Sequence, residues 1–577
     1  MKCPPLQADG SAKQCGGNKN WTIYPSSQEA FRIASEFNIH PAIASVILRR
    51  GLKTSAEISR FLNPSIETLK SPFEFSDMRK AVGRVQSAIA NKEKILIYGD
   101  YDVDGITGCA ILYPVLKKLD ADTEVYIPHR LSEGYGLNQE ALERLLKKKF
   151  QLLITVDNGI TGYNQIKFLA DKKIDTIIVD HHLPREKVPP AFAIVSAAID
   201  QKENAHLAAC GLAFKLGWAL LGNFQAMEDS LDLVALGTIA DIAPVVGENR
   251  ILLRHAMPFL AGTKRVGLRA LMNQARITYS RVSTRDIAFG LGPRINASGR
   301  MGSPENAFKL LTTPNEIEAQ NLAQILEEGN RQRQQVESSA FEEALEQIEM
   351  DELSSTHGVL VLDSPEWHEG VLGIVASRIV DRYQKPSIVI SRRAGLGKGS
   401  GRSIPSFSLF DSVLKCENLL ETFGGHAQAC GLTIREENIP LFRKRLNEVV
   451  GLQVESSSAD LALAIDAEVP LAEINPKFLQ DLEKLEPFGP GNKKPSFVSR
   501  NIRLKGSAKK RGKDTLQAWI TDSTGKTTCE MVGFRKFNRW IESNQSDRLD
   551  IVHQPSLRDY NGIRSIQLEL EDWSASR

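Results

Sequence analysis

Five short apolar runs constrain the first half of this chain: ILIY from Ile95, EVYIP from Glu124, LLITV from Leu152, TIIVD from Thr176 and AIVSA from Ala193. Helical segments lie between them, and strands alternating with helices build a parallel sheet with crossovers. Such sheets bind ligands at the carboxyl ends of their strands. The residues that follow each run are therefore the first place to look for chemistry.

Those residues are acidic or imidazole. Asp100, Asp102 and Asp104 follow ILIY, with Gly105 opening a helix; Asp157 follows LLITV in VDNG; Asp180, His181 and His182 follow TIIV; Asp241 sits in LVALGTIADIAPVVGENR. Aspartates after strands are often helix caps or turn formers, which is the better reading of Asp157 alone and an even one for Asp241, whereas three alternating aspartates repel without turning the chain. Together they repel one another and lose hydration, so a positive charge should offset them. Aspartate and histidine suit borderline divalent ions such as Mn²⁺. A cluster of this kind can hold two ions and drive in-line displacement at phosphorus, with one ion activating water and the other stabilising the leaving oxygens.

The 577 residues exceed one hydrophobic core, so about three to four domains are expected. Residues 1–20 read as a disordered leader without an apolar signal core, and a cytoplasmic protein is expected. Residues 21–75 form a helical region and 76–313 the parallel-sheet domain. Residues 314–352 form one long charged helix with an apolar stripe, and 353–455 a second α/β domain. Residues 456–577 begin with the linker-like ESSSAD and continue as short alternating strands, compatible with a small barrel. The seven cysteines are scattered without a CxxC pair, which suggests neither a zinc site nor a disulfide framework. Net charge is +2, so any polyanion site must be a local patch.

Three segments supply such patches. GPRINASGRMG reads as a loop presenting Arg294, Asn296 and Arg300, whose guanidinium forks match phosphate. KGSGRSIPS reads as a flexible turn with Ser400, Arg402 and free backbone N–H groups, suited to an anion nest. In GGHAQACG, Gly424 and Gly425 permit close backbone approach, and His426 can donate to a phosphate oxygen. In the tail, Lys505, Lys509, Lys510, Arg511 and Lys513 form a basic loop beside strands that carry Trp519. That combination is a single-strand-binding signature, with a solvated hairpin tip as the plainer reading.

DYDVDG at Asp100, VDNG at Val156, DHH at Asp180 and the Asp241 segment, in this order, resemble the four motifs of the DHH phosphoesterase superfamily. GGHAQACG resembles the glycine–histidine motif of its associated DHHA1 domain. NPSIETLKSPFEFSDMRKAV, RINASGRMGSPENAFKLL and WHEGVLGIVASRI resemble its bacterial single-strand-specific DNA exonucleases. The resemblance implies a multidomain α/β fold: a DHH-type parallel-sheet domain and a DHHA1 α/β domain joined by a long helix, plus a C-terminal OB-like β-barrel. It implies Mn²⁺ or Mg²⁺, two ions, held by Asp102, Asp104, Asp157, His181 and Asp241, with Asp157 and Asp241 as the residues that share metals. Asp100 stands where the family usually has His, which leaves it a further candidate. By the same resemblance His182 contacts the scissile phosphate or orients a carboxylate, and Asp180 supports the ligands. Arg300, Ser400 and Arg402 would take the terminal 5′-phosphate, and His426 the scissile phosphate. The implied reaction is 5′-to-3′ hydrolysis of single-stranded DNA to 5′-mononucleotides in repair and recombination. A single-strand-binding protein and a helicase are the implied partners. A phosphodiesterase for short oligoribonucleotides or cyclic dinucleotides, and an inactive nucleic-acid-binding scaffold, are the competing readings. The full set of acidic and histidine residues weighs against the scaffold.

Overall fold

A computed structural model describes residues 21–184, 187–200, 206–279, 282–405, 407–451, 463–543, 546–560 and 563–576. The leader and the ESSSAD linker lie outside the described residues. The chain divides into two compact units. One spans Leu69–Ser458; the other joins the described residues before Leu69 to those after Ser458.

In the larger unit the five apolar runs are strands: β1 (Ile95–Tyr98), followed by helix α1 (Val103–Lys118), then β2 (Thr123–Tyr126), β3 (Leu152–Val156), β4 (Asp175–Val179) and β5 (Ala193–Val195). All pair in parallel in the order β2-β1-β3-β4-β5. Helices cover both faces of such a sheet, so its strands are apolar throughout; every residue of β1 and β3 is buried. The strand order reverses between β1 and β3, and that reversal opens a crevice beyond their carboxyl ends. Helices α2 (Ala209–Leu221) and α3 (Leu231–Ala240) pack against α1.

Two segments depart from the sequence expectation. GPRINASGRMG is not a loop: it forms helix α4 (Gly292–Met301), entered through a π-helical turn at Ile287–Leu291. Pro293 suits a first turn, where its missing N–H has no partner to lose. The expected long helix is α5 (Glu316–Met350), capped by Asn315 Oδ1, which accepts from the N–H groups of Ile317 and Glu318. Ala319, Leu322, Ala323 and Leu326 are buried in its first half, and Ala340, Ala344 and Ile348 in its second. The first half packs on α4, and the second enters the core of the following domain.

That domain comprises β6 (Leu360–Ser364), α6 (Leu372–Tyr383), β7 (Ser387–Arg393), β8 (Leu396–Arg402), β9 (Leu420–His426) and β10 (Ala429–Arg435), in sheet order β9-β10-β8-β7-β6. KGSGR is therefore the end of strand β8 and not a flexible turn. It is flanked by β7 and β10, whose ladders occupy its backbone groups, so those N–H groups cannot form an anion nest.

The smaller unit holds β11 (Phe497–Leu504), β12 (Lys509–Arg511), β13 (Thr515–Thr521), β14 (Thr528–Gly533), β15 (Leu549–Tyr560) and β16 (Ile563–Ala575). The order β11-β15-β16-β14-β13-β12, with β11 also pairing β13, closes a barrel. The helix at Pro41–Arg49 buries Ala42, Ile43, Ala44, Val46 and Ile47. A helix apolar on this much of its surface needs cover on several sides. Its cover includes Phe478, Phe497, Met531 and Trp540, so the N-terminal helices share one core with the barrel. Ile47→Ala should then cost about 2–4 kcal/mol and lower hydrogen-exchange protection in β11 and β14. Unchanged barrel protection would show that the helices fold independently.

Candidate metal centre and anion pocket

The β1–β3 crevice gathers the acidic residues. Asp102 does cap α1, its Oδ1 accepting from the N–H groups of Asp104 and Gly105 at 3.0 and 3.1 Å. Asp104 lies one step inside the helix, and its two oxygens accept from the N–H groups of Ala209 and Cys210 at the start of α2. That partial positive charge holds a buried carboxylate in place. Asp157 adopts a left-handed conformation, φ 64°, at the end of β3, which an aspartate tolerates better than most residues. Asp241 arrives from the C-terminus of helix α3 rather than from a strand.

His181 Nε2 is the hub. It lies 3.3 Å from Asp157 Oδ1, 3.7 Å from Asp241 Oδ2 and 3.8 Å from Asp104 Oδ2. Three overlapping sets of donor atoms, each within 4.8 Å of one another, could hold an ion: Asp104, His181 and Asp241; Asp157, His181 and His182; Asp100, Asp102 and Asp157. Asp180 is buried and fully engaged. Its Oδ2 accepts from the Ile160 N–H, and its Oδ1 accepts from the His182 N–H and lies 2.8 Å from His182 Nδ1. This fixes the ring orientation of His182.

These residues fit a divalent cation. Asp100 Oδ1, Asp157 Oδ1 and His181 Nε2 are buried without a hydrogen-bond partner, a costly state that a metal ion would relieve. The carboxyl groups register the same deficit of positive charge. Burial, then the charge of Asp102, pushes Asp100 and Asp157 well above the usual carboxylate range. Burial also raises Asp104, against His181 and the N–H of Cys210, and lifts Asp241 to about 9 with help from Asp104 and Asp102. For Asp180 burial acts in the same direction, but the hydrogen bond and charge of His182 outweigh it and hold the carboxyl below its ordinary value.

A second, cationic cluster belongs to the same unit. Arg300 Nη1 donates to the Gly370 carbonyl at 2.9 Å, and Arg402 Nη1 donates to Ser400 Oγ and the Gly401 carbonyl. Neither pairs with a carboxylate among the described residues. Burial, then the charges of Arg130, Arg333 and Arg402, lowers Arg300 to about 10, and burial with Arg130 also lowers Arg402. The first turn of α6 closes over them: a Cβ on Gly373 would meet Arg402 Nη2 at 2.7 Å. Arg333 is already paired with Glu337, whereas Arg130, Arg300 and Arg402 gathered this way call for an anion.

The remaining expected residues are placed as follows. Arg294 donates to Glu327 Oε2 at 2.6 Å and to the Gly290 carbonyl, so it ties α4 to α5. Asn296 Oδ1 accepts from the Val103 N–H at the start of α1. In the second sheet, Arg402, Ala429 and His426 form one cross-strand row, and Ser400, Gly431 and Gly424 the row two positions along, with Gly401, Cys430 and Gly425 between them. Gly425 is obligatory, because its φ is 146° and a Cβ there would meet the Ala429 carbonyl at 2.3 Å. Lys509, Lys510 and Arg511 are exposed on β12, with Trp519 exposed on neighbouring β13. Arg130, Arg333 and Tyr135 were not anticipated. The Tyr135 hydroxyl lies within 3.3 Å of both ring nitrogens of His182. Arg130 and Tyr135 follow β2 at the same sheet edge, where their position after an apolar strand is the signal that marks them.

The comparisons agree with this architecture. The DHH family, N-terminal domain, matches residues 94–238, the DHHA1 domain residues 356–452 and the RecJ OB domain residues 465–572. The single-stranded-DNA-specific exonuclease RecJ of Bacillus subtilis is 34% identical over 564 residues, covering 96% of this chain and 71% of that protein. RecJ of Haemophilus influenzae is 31% identical over 561 residues, covering 93% and 96%. The crystal structure of Thermus thermophilus RecJ in complex with Mn²⁺ superposes with a TM-score of 0.81 at 27% identity, covering 96% and 79%, and its Mg²⁺ complex with 0.75. The fold and the carboxylate–imidazole cluster define a metal-dependent enzyme of the DHH class. Within it, the chain belongs to the RecJ family.

Metal-free protein should lose stability as pH rises. The folded state binds the Asp241 proton up to about pH 9, whereas the unfolded chain releases it near pH 4. The contribution is thus fully present below about pH 4 and lost on passing about 9. Thermal melts of chelated protein should fall between pH 6 and 9, and Mn²⁺ should raise the melting temperature more at pH 9 than at pH 6. A metal-induced increase independent of pH would contradict this assignment.

Proposed function

We propose that this protein hydrolyses single-stranded DNA from its 5′ end, releasing 5′-mononucleotides. The observation that carries the reading is the pairing, within one unit, of a buried carboxylate–imidazole cluster deficient in positive charge with an arginine pocket deficient in negative charge. A phosphodiester chain with a terminal phosphate fits both.

In this reading Asp102, Asp104, Asp157, His181 and Asp241 hold Mn²⁺ or Mg²⁺, with Asp100 within reach of the same ions. Two ions fit the overlapping donor sets. Bound there, the metals supply the Lewis-acid charge that activates water and stabilises the phosphoryl oxygens. The protein supplies position. The start of α2 orients Asp104, and Asp180 orients His182, whose Nδ1 is engaged by the carboxylate so that the ring presents Nε2. Tyr135, half exposed as a whole, hydrogen-bonds within this group through its hydroxyl; desolvation at that end, then Asp180 and Asp157, keeps the proton on. Arg300, Ser400 and Arg402, joined by Arg130, bind the terminal phosphate, and this sets polarity by admitting an end. His426, in one row with Arg402, contacts the scissile phosphate. Arg294 and Asn296 act on the DNA only indirectly, through α4. Lys509, Lys510, Arg511 and Trp519 add sequence-neutral affinity through charge and stacking. Repair and recombination in the cytoplasm, with a single-strand-binding protein and a helicase supplying ends, is the setting this activity suits.

The test is product analysis with Mn²⁺ on single-stranded DNA labelled at either end, beside duplex DNA and short RNA. Early release of 5′-labelled mononucleotide from single strands alone, lost in Asp157→Ala by about 10³-fold or more, is the expected outcome. Cleavage confined to the RNA would move the protein to the oligoribonucleotide branch. Arg402→Ala should weaken a 5′-phosphorylated strand about tenfold and a 5′-hydroxyl strand much less. Equal losses would remove the arginine pocket from the terminal phosphate.

A further inference from the structure

Helix α3 ends one residue beyond Ala240 in a Schellman motif. The Ala243 N–H bonds the Thr238 carbonyl and the Ile242 N–H bonds the Ile239 carbonyl, which makes Ile242 the left-handed residue, φ 60°. Glycine is the usual occupant of that position, and a β-branched side chain is among the worst. Ile242 is the one β-branched residue with positive φ among the described residues. Burial does not compensate, since its relative exposure is 70%. Local backbone energetics and core packing therefore both argue against isoleucine here.

The position is distinctive in another way. Ile242 directly follows Asp241, whose Oδ2 lies 3.7 Å from His181 Nε2. On the segment that carries His181, Leu183 directly follows His182 and is 78% exposed. Two large aliphatic side chains thus stand in solvent, each one residue beyond the cluster. An apolar contact next to a phosphate-handling centre has an obvious complement in a nucleic-acid strand: the flat apolar face that every base offers, whatever its identity.

We propose that Ile242, together with Leu183 after His182, packs against a nucleobase of the bound strand adjacent to the scissile phosphate. The pair then positions the strand without reading its sequence. This rests on the nuclease reading above, yet it is testable by binding alone. Strain at Ile242 is tolerated because the side chain is needed on the outside of the turn.

The experiment compares wild type with Ile242→Gly, and with Ile242→Asn, which keeps a residue tolerant of the left-handed conformation while removing the aliphatic surface. Fluorescence anisotropy with Ca²⁺ in place of Mn²⁺ reports affinity for a 5′-phosphorylated oligothymidylate and for the same strand with abasic sites at its first two positions; KM and kcat with Mn²⁺ follow. Both variants should bind the normal strand about fivefold more weakly and the abasic strand as wild type does. KM should rise with little change in kcat, and Ile242→Gly should melt no lower than wild type. Equal affinities of wild type and variants for the normal strand would overturn the proposal. So would a loss shared equally by the abasic strand, or a lower melting temperature with kcat reduced on both, which is the signature of a structural role. Wild type that binds but does not cut would strike at the nuclease reading, while the affinity comparison would still decide the role of Ile242.

Discussion

The mutual repulsion of buried carboxylates at the β1–β3 crevice is the constraint on which the rest of the larger unit depends. Asp100, Asp104 and Asp157 are almost completely enclosed, where their charges interact at low dielectric and cannot be solvated. The fold supplies partial relief wherever it can: the N-terminus of α2 against Asp104, the first turn of α1 against Asp102, and His182 against Asp180. Asp157 Oδ1 and His181 Nε2 receive none. A fold with this much uncompensated acid at a strand-order reversal is organised around cations it does not itself contain.

The arginine pocket is the complementary case. Other arginines of the unit are consumed by carboxylates: Arg294 and Arg331 by Glu327, Arg333 and Arg378 by Glu337. Arg300 and Arg402 are directed to carbonyl and hydroxyl oxygens instead, which satisfy donors but leave charge unbalanced. Helix α5 packs on α4, which carries Arg300, with its first half and enters the core of the domain that carries Arg402 with its second. It therefore ties together the two elements that supply the arginine pocket.

Much of this was legible in the sequence, for physical reasons that can be named. Doubly covered parallel strands must be apolar along their whole length, so ILIY and LLITV announced themselves, and the residues after them marked the functional edge. The segments that misled are those where glycine and serine were read as loop formers. In α4 the small residues allow close packing within a helix, and in β8 Gly397, Gly399 and Gly401 lie against Ile390, Leu432 and Cys430 inside a strand. Asp241 was found by its company rather than by a strand, since its carrier is helix α3. The apolar periodicity of the N-terminal helices does not reveal their partner; their cover comes from residues more than 400 positions away. Arg130 and Tyr135 went unread because each alone is an ordinary surface residue, and only the fold shows them beside Tyr101 and His182.

The central claim is that Mn²⁺ or Mg²⁺ neutralises the acidic crevice through His181 and its surrounding carboxylates. Anomalous diffraction at the manganese edge from crystals grown with Mn²⁺ addresses it most directly. The account predicts anomalous peaks within coordination distance of Asp104, Asp157, His181 and Asp241, with a second ion on the Asp102 and Asp157 side. Crystals that bind Mn²⁺ only elsewhere, with Asp157 Oδ1 and His181 Nε2 still unpartnered, would contradict it.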